Sequence, residues 1–397
     1  MRKVTHLIFC SFEVGGLPFS MAEILNRHDQ DCLYVALTTQ HTSAHDSTHY
    51  HFGLTAAPWD YSARFRAIAH SDELVVKELR RLNAEYGLST CLALGSKAHL
   101  LACADIPFKY WSYGSDLDQN CFGPLWPAGY PFWKRLAVYA IFLANTRKQT
   151  RQSIRQAESV LIAPYQKPAL DRVAPGKPLF WLPHFFPVLS HEVTLTFKTN
   201  ARQTVYEAIG PGRFLFSSTR HVWCGALSKQ ADNKGNDIIL KAFQSYVQRT
   251  GDLELRLVLV LKGPDIEATQ KLAVDIGLTR QIVWVDQMPR PKLYAFYAAA
   301  EVCFGQFGTP VLTGAALEPL AQATPAISSF TTETAVPSYS VAPPIFNSNN
   351  PERIGEHLSA ILHSPREYAR LSFNSWQWSN SSTSEENFVK HFSAEFG

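Results

Sequence analysis

The stretch Arg213–Trp223, RFLFSSTRHVW, opens the part of the chain that decides the fold. Arg213–Ser217 is a short apolar run with the length of a buried strand. Fourteen positions after Arg220 comes KGNDIILKAF (234–243), whose apolar residues recur at helical spacing and predict a helix over Asp237–Arg249. The alternation then continues. Strands are expected at Leu255–Leu261, Ile282–Val285 and Val302–Gly305, with helices at Asp265–Ile276 and Lys292–Ala300 between them. Strands separated by helices imply βαβ units and a mainly parallel sheet.

Working outward, the first half follows the same rule. Val4–Cys10 reads as a buried strand, followed by a Gly15-Gly16 turn and an amphipathic segment Pro18–Asn26. Cys32–Leu37, Cys91–Leu94 and Lys109–Tyr113 are further strand candidates. Ser71–Tyr86 carries Leu74, Val75, Leu79 and Leu82 at helical spacing. Residues 188–212 are rich in Thr, His and small polar residues and end in Gly210-Pro211-Gly212, the composition of a linker. The expected organisation is therefore a first α/β domain over 1–190, a linker over 191–212, a second α/β domain over 213–370 and a tail over 371–397. Trp376 and Trp378 in that tail need a surface to cover, and the first domain is expected to supply it. No period of 20–50 residues recurs, which argues against a solenoid. Two α/β halves place a ligand cleft at the carboxyl ends of their strands.

Composition excludes several classes. With 46% hydrophobic and 18% charged residues, the chain of 397 residues is not intrinsically disordered. Its longest lipid-like run, Leu136–Ala144, is half the length a bilayer requires. The short apolar part of the amino terminus reads as a strand rather than an export signal. A net charge of +3 demands no nucleic-acid partner. Seven cysteines without a CxxC pair fit neither a zinc site nor a disulfide framework, so a cytoplasmic setting is expected.

The cofactor motifs are missing. After the first strand the turn reads Glu13-Val-Gly-Gly-Leu-Pro, with no third glycine, and the second strand runs into Thr38-Thr39 with no acid for a ribose diol. No Walker loop occurs. Gly15-Gly16 would still let backbone approach a ligand closely, or serve as an ordinary strand-to-helix turn. Arg220 and Lys234 meeting over a cleft suit a diphosphate, Arg as a bidentate fork and Lys as a point charge; two solvated surface cations are the plainer alternative. Glu318, in the first turns of a helix after Gly314, either favours the helix dipole or binds a sugar diol through both oxygens.

Together these segments resemble the C-terminal half of family 4 glycosyltransferases, the retaining group with the GT-B fold. The resembling run covers 213–327: FLFSSTRHVW, KGNDIILKAF, LRLVLVLKGPD, IGLTRQIVWVDQMP, LYAFYAAAEV and GAALEPLAQATPAI. The N-terminal half matches more loosely, at EVGGLPFSMAEIL, YWSYGSD and QAESVLIAP. The resemblance implies an α/β GT-B architecture: two Rossmann-like domains with parallel sheets facing across a cleft, and a C-terminal helix returning to the first. It also implies a retaining, metal-independent transfer of a sugar from a nucleotide-sugar donor, UDP favoured over GDP, with no cofactor and no bound metal.

Carried onto this chain, Arg220 and Lys234 would grip the diphosphate and Glu318 the donor ribose. Val285–Met288 (Val285 and Met288 at its ends) would line the base pocket, and Gly15 and Gly16 would close over phosphates and acceptor. The family often has a Glu eight positions before Glu318; Pro310 stands there, which leaves Gly305–Gly308, with Gln306 and Phe307, to contact the sugar. Where many members carry a His, this chain reads Tyr113-Gly114-Ser115-Asp116, and Asp116 is the candidate for a polar role at the reaction centre. The long Arg-to-Lys spacing is read as a flap over the donor or a surface loop.

The acceptor is expected to be a glycan or a lipid-linked molecule. Residues 126–155 are basic and aromatic, the pattern of peripheral contact with an anionic membrane face, although a buried helix with cationic ends is the favoured reading. His41, His45, His49 and His51 read as a solvated loop rather than a metal site. A GT-B sugar-nucleotide epimerase or phosphorylase, or a non-catalytic nucleotide-sugar binder, are the alternative functions.

Overall fold

A computed structural model describes residues 5–12, 17–38, 57–112, 121, 142–163, 166–186, 188, 190–225, 233–331, 339 and 341–397. Gly15, Gly16, Asp116, the His41–His51 patch and residues 126–141 lie outside them. The chain divides into two units, Met1–Leu182 with Val389–Gly397, and Pro183–Phe388.

The first unit is built on β1 (Thr5–Phe12), β2 (Asp31–Thr38), β3 (Leu88–Leu94), β4 (Phe108–Trp111) and β5 (Val160–Leu161). They form one parallel sheet in the order β2-β1-β3-β4-β5. Register is set by β1, whose Ile8 pairs with Tyr34 on one side and Leu92 on the other. Successive residues Leu7, Ile8, Phe9 and Cys10 are all buried, as expected of a central parallel strand covered on both faces. The predicted Ser71–Tyr86 helix is observed at Asp72–Tyr86: the Ser71 hydroxyl accepts from Leu74 N–H, and Gly87 (φ +63°) ends it in the left-handed conformation.

The last turns of the chain complete this unit. Phe392 meets His6 edge-on at 5.2 Å, Phe396 meets Phe180 at 5.8 Å, and the Lys109 ammonium lies over the Phe396 ring and 3.1 Å from the Glu395 carboxylate. Only Val389–Gly397 belongs here. The rest of the tail expected on the first domain, including both tryptophans, stays with the second unit. Its helix Pro365–Ser382 turns buried Ser372, Ser375, Ser379 and Ser382 toward the unit, a small-residue face that allows close approach; Ser372 Oγ donates to Ala323 O at 2.6 Å. Trp378 packs on Tyr339 and donates from Nε1 to Val341 O.

The second unit carries β6 (Phe214–Ser217), β7 (Arg256–Val260), β8 (Ile282–Val285), β9 (Val302–Phe304), β10 (Ala326–Ser328) and β11 (Phe346–Asn347), all parallel in the order β11-β10-β9-β6-β7-β8. The segment 191–212, expected as a linker, is instead largely the helix His191–Ile209, capped by Ser190. Its buried face is Thr194, Lys198, Ala201 and Val205, while Val193 and Leu195 point outward. Half of that face is polar, so the apolar periodicity that marks a helix is absent. Ala201 and Val205 pack with Phe214 and Phe296. The Lys198 ammonium donates to Ala323 O (3.1 Å) and Thr324 Oγ1 (2.7 Å) just past the C-terminus of helix Gly314–Ala321. Burial lowers its pKa to about 8.

All seven cysteines are free thiols. No helix among the described residues is long and apolar enough to cross a membrane. In the described part of the basic segment, Arg147 Nε and Arg151 Nη2 both donate to Cys121 O (2.6 and 2.9 Å), and Arg155 Nε donates to Val173 O. These three guanidinium groups tie down backbone carbonyls of their own unit.

Candidate functional site

Strand order places the residues that follow β9, β6, β7 and β8 side by side at the carboxyl edge of the second sheet. After β6 comes Ser218-Thr219-Arg220-His221, and after it a loop of unusual length. The structure shows how that length is accommodated. Lys234 N–H donates to Val222 O at 2.7 Å, and Val222 N–H donates to Asn236 Oδ1 at 3.1 Å. The loop is closed at its base, so Lys234 is brought back beside the segment carrying Arg220, 14 positions earlier in the chain. Asn236, almost fully buried, also donates to Thr219 Oγ1.

Asp265, after β7, holds the outgoing arm. One carboxylate oxygen accepts from the backbone N–H groups of Trp223 (2.7 Å), Cys224 (3.0 Å) and Gly225 (3.2 Å). Burial alone would raise its pKa, but these donors prevail and hold it below the usual carboxylate value. His221 is fully buried, with Nε2 3.0 Å from Val260 O and Nδ1 3.1 Å from Thr269 Oγ1. Burial lowers its pKa to about 4, so the ring is neutral at pH 7.

Two groups of predicted residues are brought together. In the first, the Lys234 ammonium donates to Gln306 Oε1 at 3.0 Å, and Gln306 Nε2 donates to Thr309 O at 2.7 Å, so the buried amide is held from both ends. Phe307 N–H donates to Lys234 O. Gly235 starts helix Asn236–Thr250 at φ +65°, where an added Cβ would lie 2.6 Å from Gly308 N and 2.8 Å from Phe307 Cβ; glycine is required by conformation and by space. The side chain of Phe307, expected with its neighbours near a sugar, is in the core, packed edge-on against Phe304, because its apolar ring fills space beneath the loop. Among its neighbours, Gly308 is exposed.

In the second group, Glu318 is buried on helix Gly314–Ala321 and accepts from Arg290 at 3.3 Å. Tyr297, fully buried, has its pKa driven well up by burial and then by Glu318, and its hydroxyl lies 2.6 Å from Ser218 Oγ. A polar chain therefore runs Arg290–Glu318–Tyr297–Ser218 and ends two residues before Arg220. Val285, the last residue of β8, and Met288, three positions on, are half-buried against the cluster that contains Tyr294 and Tyr297. Sequence reasoning missed Asn236, Asp265, Tyr297 and Arg290, since each acts through a partner distant in the chain. Among the described residues no three His, Cys, Asp or Glu side chains converge as metal ligands would.

No known family profile matches the chain. Over 93 residues it is 32% identical to the GDP-mannose-dependent α-(1-6)-phosphatidylinositol monomannoside mannosyltransferase of Mycolicibacterium smegmatis; that match spans 23% of this chain and 23% of the mannosyltransferase. Solved structures resemble it over nearly its whole length. Sucrose-phosphate synthase from Thermosynechococcus elongatus aligns with a TM-score of 0.61 at 14% identity, covering 99% of this chain and 98% of that one. Anabaena HepE, crystallised with UDP-glucose, aligns at 0.63 and 12% identity, covering 98% of each. At such identities the likeness is one of architecture: the chain has the α/β fold with two parallel sheets of the GT-B glycosyltransferases.

Proposed function

We propose that the chain is a glycosyltransferase that moves a hexosyl-type group from a nucleotide-sugar donor to a hydroxyl acceptor, with retention and without a metal ion. The observation that carries this reading is the closed loop that sets Lys234, locked to Gln306, beside the segment bearing Arg220, at the carboxyl edge of a parallel sheet. Support comes from the mannosyltransferase match and from the UDP-glucose complex of a protein with the same fold.

In this reading the second unit holds the donor and the first presents a glycan or lipid-linked acceptor. The bond between the anomeric carbon and the diphosphate oxygen breaks, and its electron pair goes to the phosphate. Arg220 and Lys234 stabilise that developing charge, as preorganised donors do where charge appears in a transition state. The acceptor oxygen attacks from the same face, and its proton passes to the leaving phosphate. Glu318, oriented by Arg290 and Tyr297, takes the ribose hydroxyls, and the backbone after β8 lines the base pocket.

The test is nucleoside-diphosphate release from UDP-, GDP- and ADP-sugars in the presence of EDTA. Release from one donor, stimulated by an acceptor, is expected, and Arg220→Ala or Lys234→Ala should lower turnover by about 10²–10³. Full turnover in both variants would refute the assignment. Interconversion of the donor without release would favour an epimerase.

A further inference from the structure

We propose that Lys262, which follows β7, is a third cation of the same site and binds the diphosphate of a nucleotide donor from the β7 side; this deepens the donor reading above and rests on it. The residue is placed by backbone contacts rather than by chance of the surface. His221 N–H donates to Lys262 O at 2.6 Å, and Asp265 N–H donates to His221 O at 3.0 Å. Gly263, at φ +118°, makes this approach possible, since a Cβ there would lie 2.5 Å from His221 O and 2.6 Å from His221 N. The segment carrying Lys262 is thus laid directly on the segment carrying Arg220, and Leu261 N–H, bonded to Val285 O, ties it to the proposed base-binding strand end on the other side.

Lys97, Lys167, Lys241 and Lys271 each meet a carboxylate. Lys262 is half-buried, and among the described residues no carboxylate or carbonyl accepts from its ammonium. The carboxylate three positions on, Asp265, is committed to Trp223, Cys224 and Gly225. Burial first, and the Arg220 guanidinium second, hold the Lys262 pKa below its usual value. A desolvated cation facing another cation destabilises the empty fold, and an anion bridging both reverses that cost. The chemistry that matches two neighbouring cations is a diphosphate, with Arg as fork and Lys as point charge.

Calorimetric titration of the full chain with UDP, GDP and the two nucleosides tests this, using wild type, Lys262→Met and Lys262→Arg, alongside thermal unfolding. Lys262→Met is expected to weaken the preferred nucleoside diphosphate by about 10–100-fold, the scale of a lost hydrogen bond to a charged group. It should leave nucleoside binding unchanged and melt no lower than wild type. Lys262→Arg should restore most of the affinity. Diphosphate affinity in Lys262→Met within twofold of wild type, or an equal loss for nucleoside and diphosphate, would overturn the role of Lys262 while leaving the donor reading intact. Wild type that binds none of UDP, GDP and, titrated in the same way, ADP would overturn both.

Discussion

Helix Asn236–Thr250 begins and ends on left-handed glycines, and the pair makes a controlled experiment. Gly235 has φ +65° and Gly251 φ +69°, so alanine meets nearly the same backbone penalty at either end. A left-handed alanine costs about 1–2 kcal/mol, partly offset by about 0.4–1 kcal/mol from the stiffer unfolded chain. Gly251 has nothing within 4 Å of its virtual Cβ, so Gly251→Ala should destabilise by about 1 kcal/mol. At Gly235 the same Cβ meets Gly308 N at 2.6 Å and Phe307 Cβ at 2.8 Å, backbone and core atoms with little room to give. Overpacking of that kind adds about 1–3 kcal/mol, for a total of about 2–4 kcal/mol.

In a unit of this size each kcal/mol moves the midpoint by about 2–4 °C, so Gly251→Ala should lose about 3 °C and Gly235→Ala two to four times as much. Thermal and urea unfolding measure both. The displacement at Gly235 also pushes on the Phe307 N–H to Lys234 O bond, so Gly235→Ala should weaken nucleoside-diphosphate binding whereas Gly251→Ala leaves it intact. Equal destabilisation by the two substitutions would refute the claim that the 305–308 loop is pressed against the start of this helix.

Two further outcomes follow from buried titratable groups. His221 has its pKa lowered to about 4 by burial, so between pH 6.5 and 4 the unfolded chain binds more protons and stability falls as pH drops. This ring should contribute a loss of about 2 kcal/mol between pH 7 and pH 5, visible in urea unfolding and flattened by His221→Gln; pH-independent unfolding over this range would contradict it. Asp265→Asn removes the charge that accepts from three backbone N–H groups and should cost about 2–3 kcal/mol at pH 7. Because the folded pKa of Asp265 is lowered, its contribution persists above the unfolded carboxylate value and disappears as pH falls through the folded one, so wild type and Asp265→Asn should converge in acid.

Much of the fold is written locally. The strands and helices read from apolar runs and 3.6-residue spacing fall within two or three residues of their observed bounds: Ile282–Val285 coincides, and Asp237–Arg249 becomes Asn236–Thr250. Among the exceptions are elements whose buried face is not apolar. His191–Ile209 turns Thr194 and Lys198 inward, and Lys198 is tolerated because carbonyls past the end of another helix receive its ammonium. The tail divided for a similar reason. The serine face of Pro365–Ser382 suits close packing in the second unit, while aromatic Phe392 and Phe396 complete the first.

For the candidate site, the sequence by itself determined which chemistry was available: two cations, an amide and a carboxylate, each just past the end of a strand or at a helix start, in a parallel α/β unit. Residue type and local periodicity are properties of neighbours in the chain, and that is why they were readable. Which of those groups meet was decided by the tertiary structure alone. Val222 closes the long loop onto Lys234, Gln306 is held between Lys234 and Thr309, Glu318 is bracketed by Arg290 and Tyr297, and Lys262 is laid beside Arg220 through Gly263. Apart from the Gln306–Thr309 bond, these contacts join residues 12 to 72 positions apart, and they form because strand order, not chain order, sets who is adjacent at the carboxyl edge of a parallel sheet.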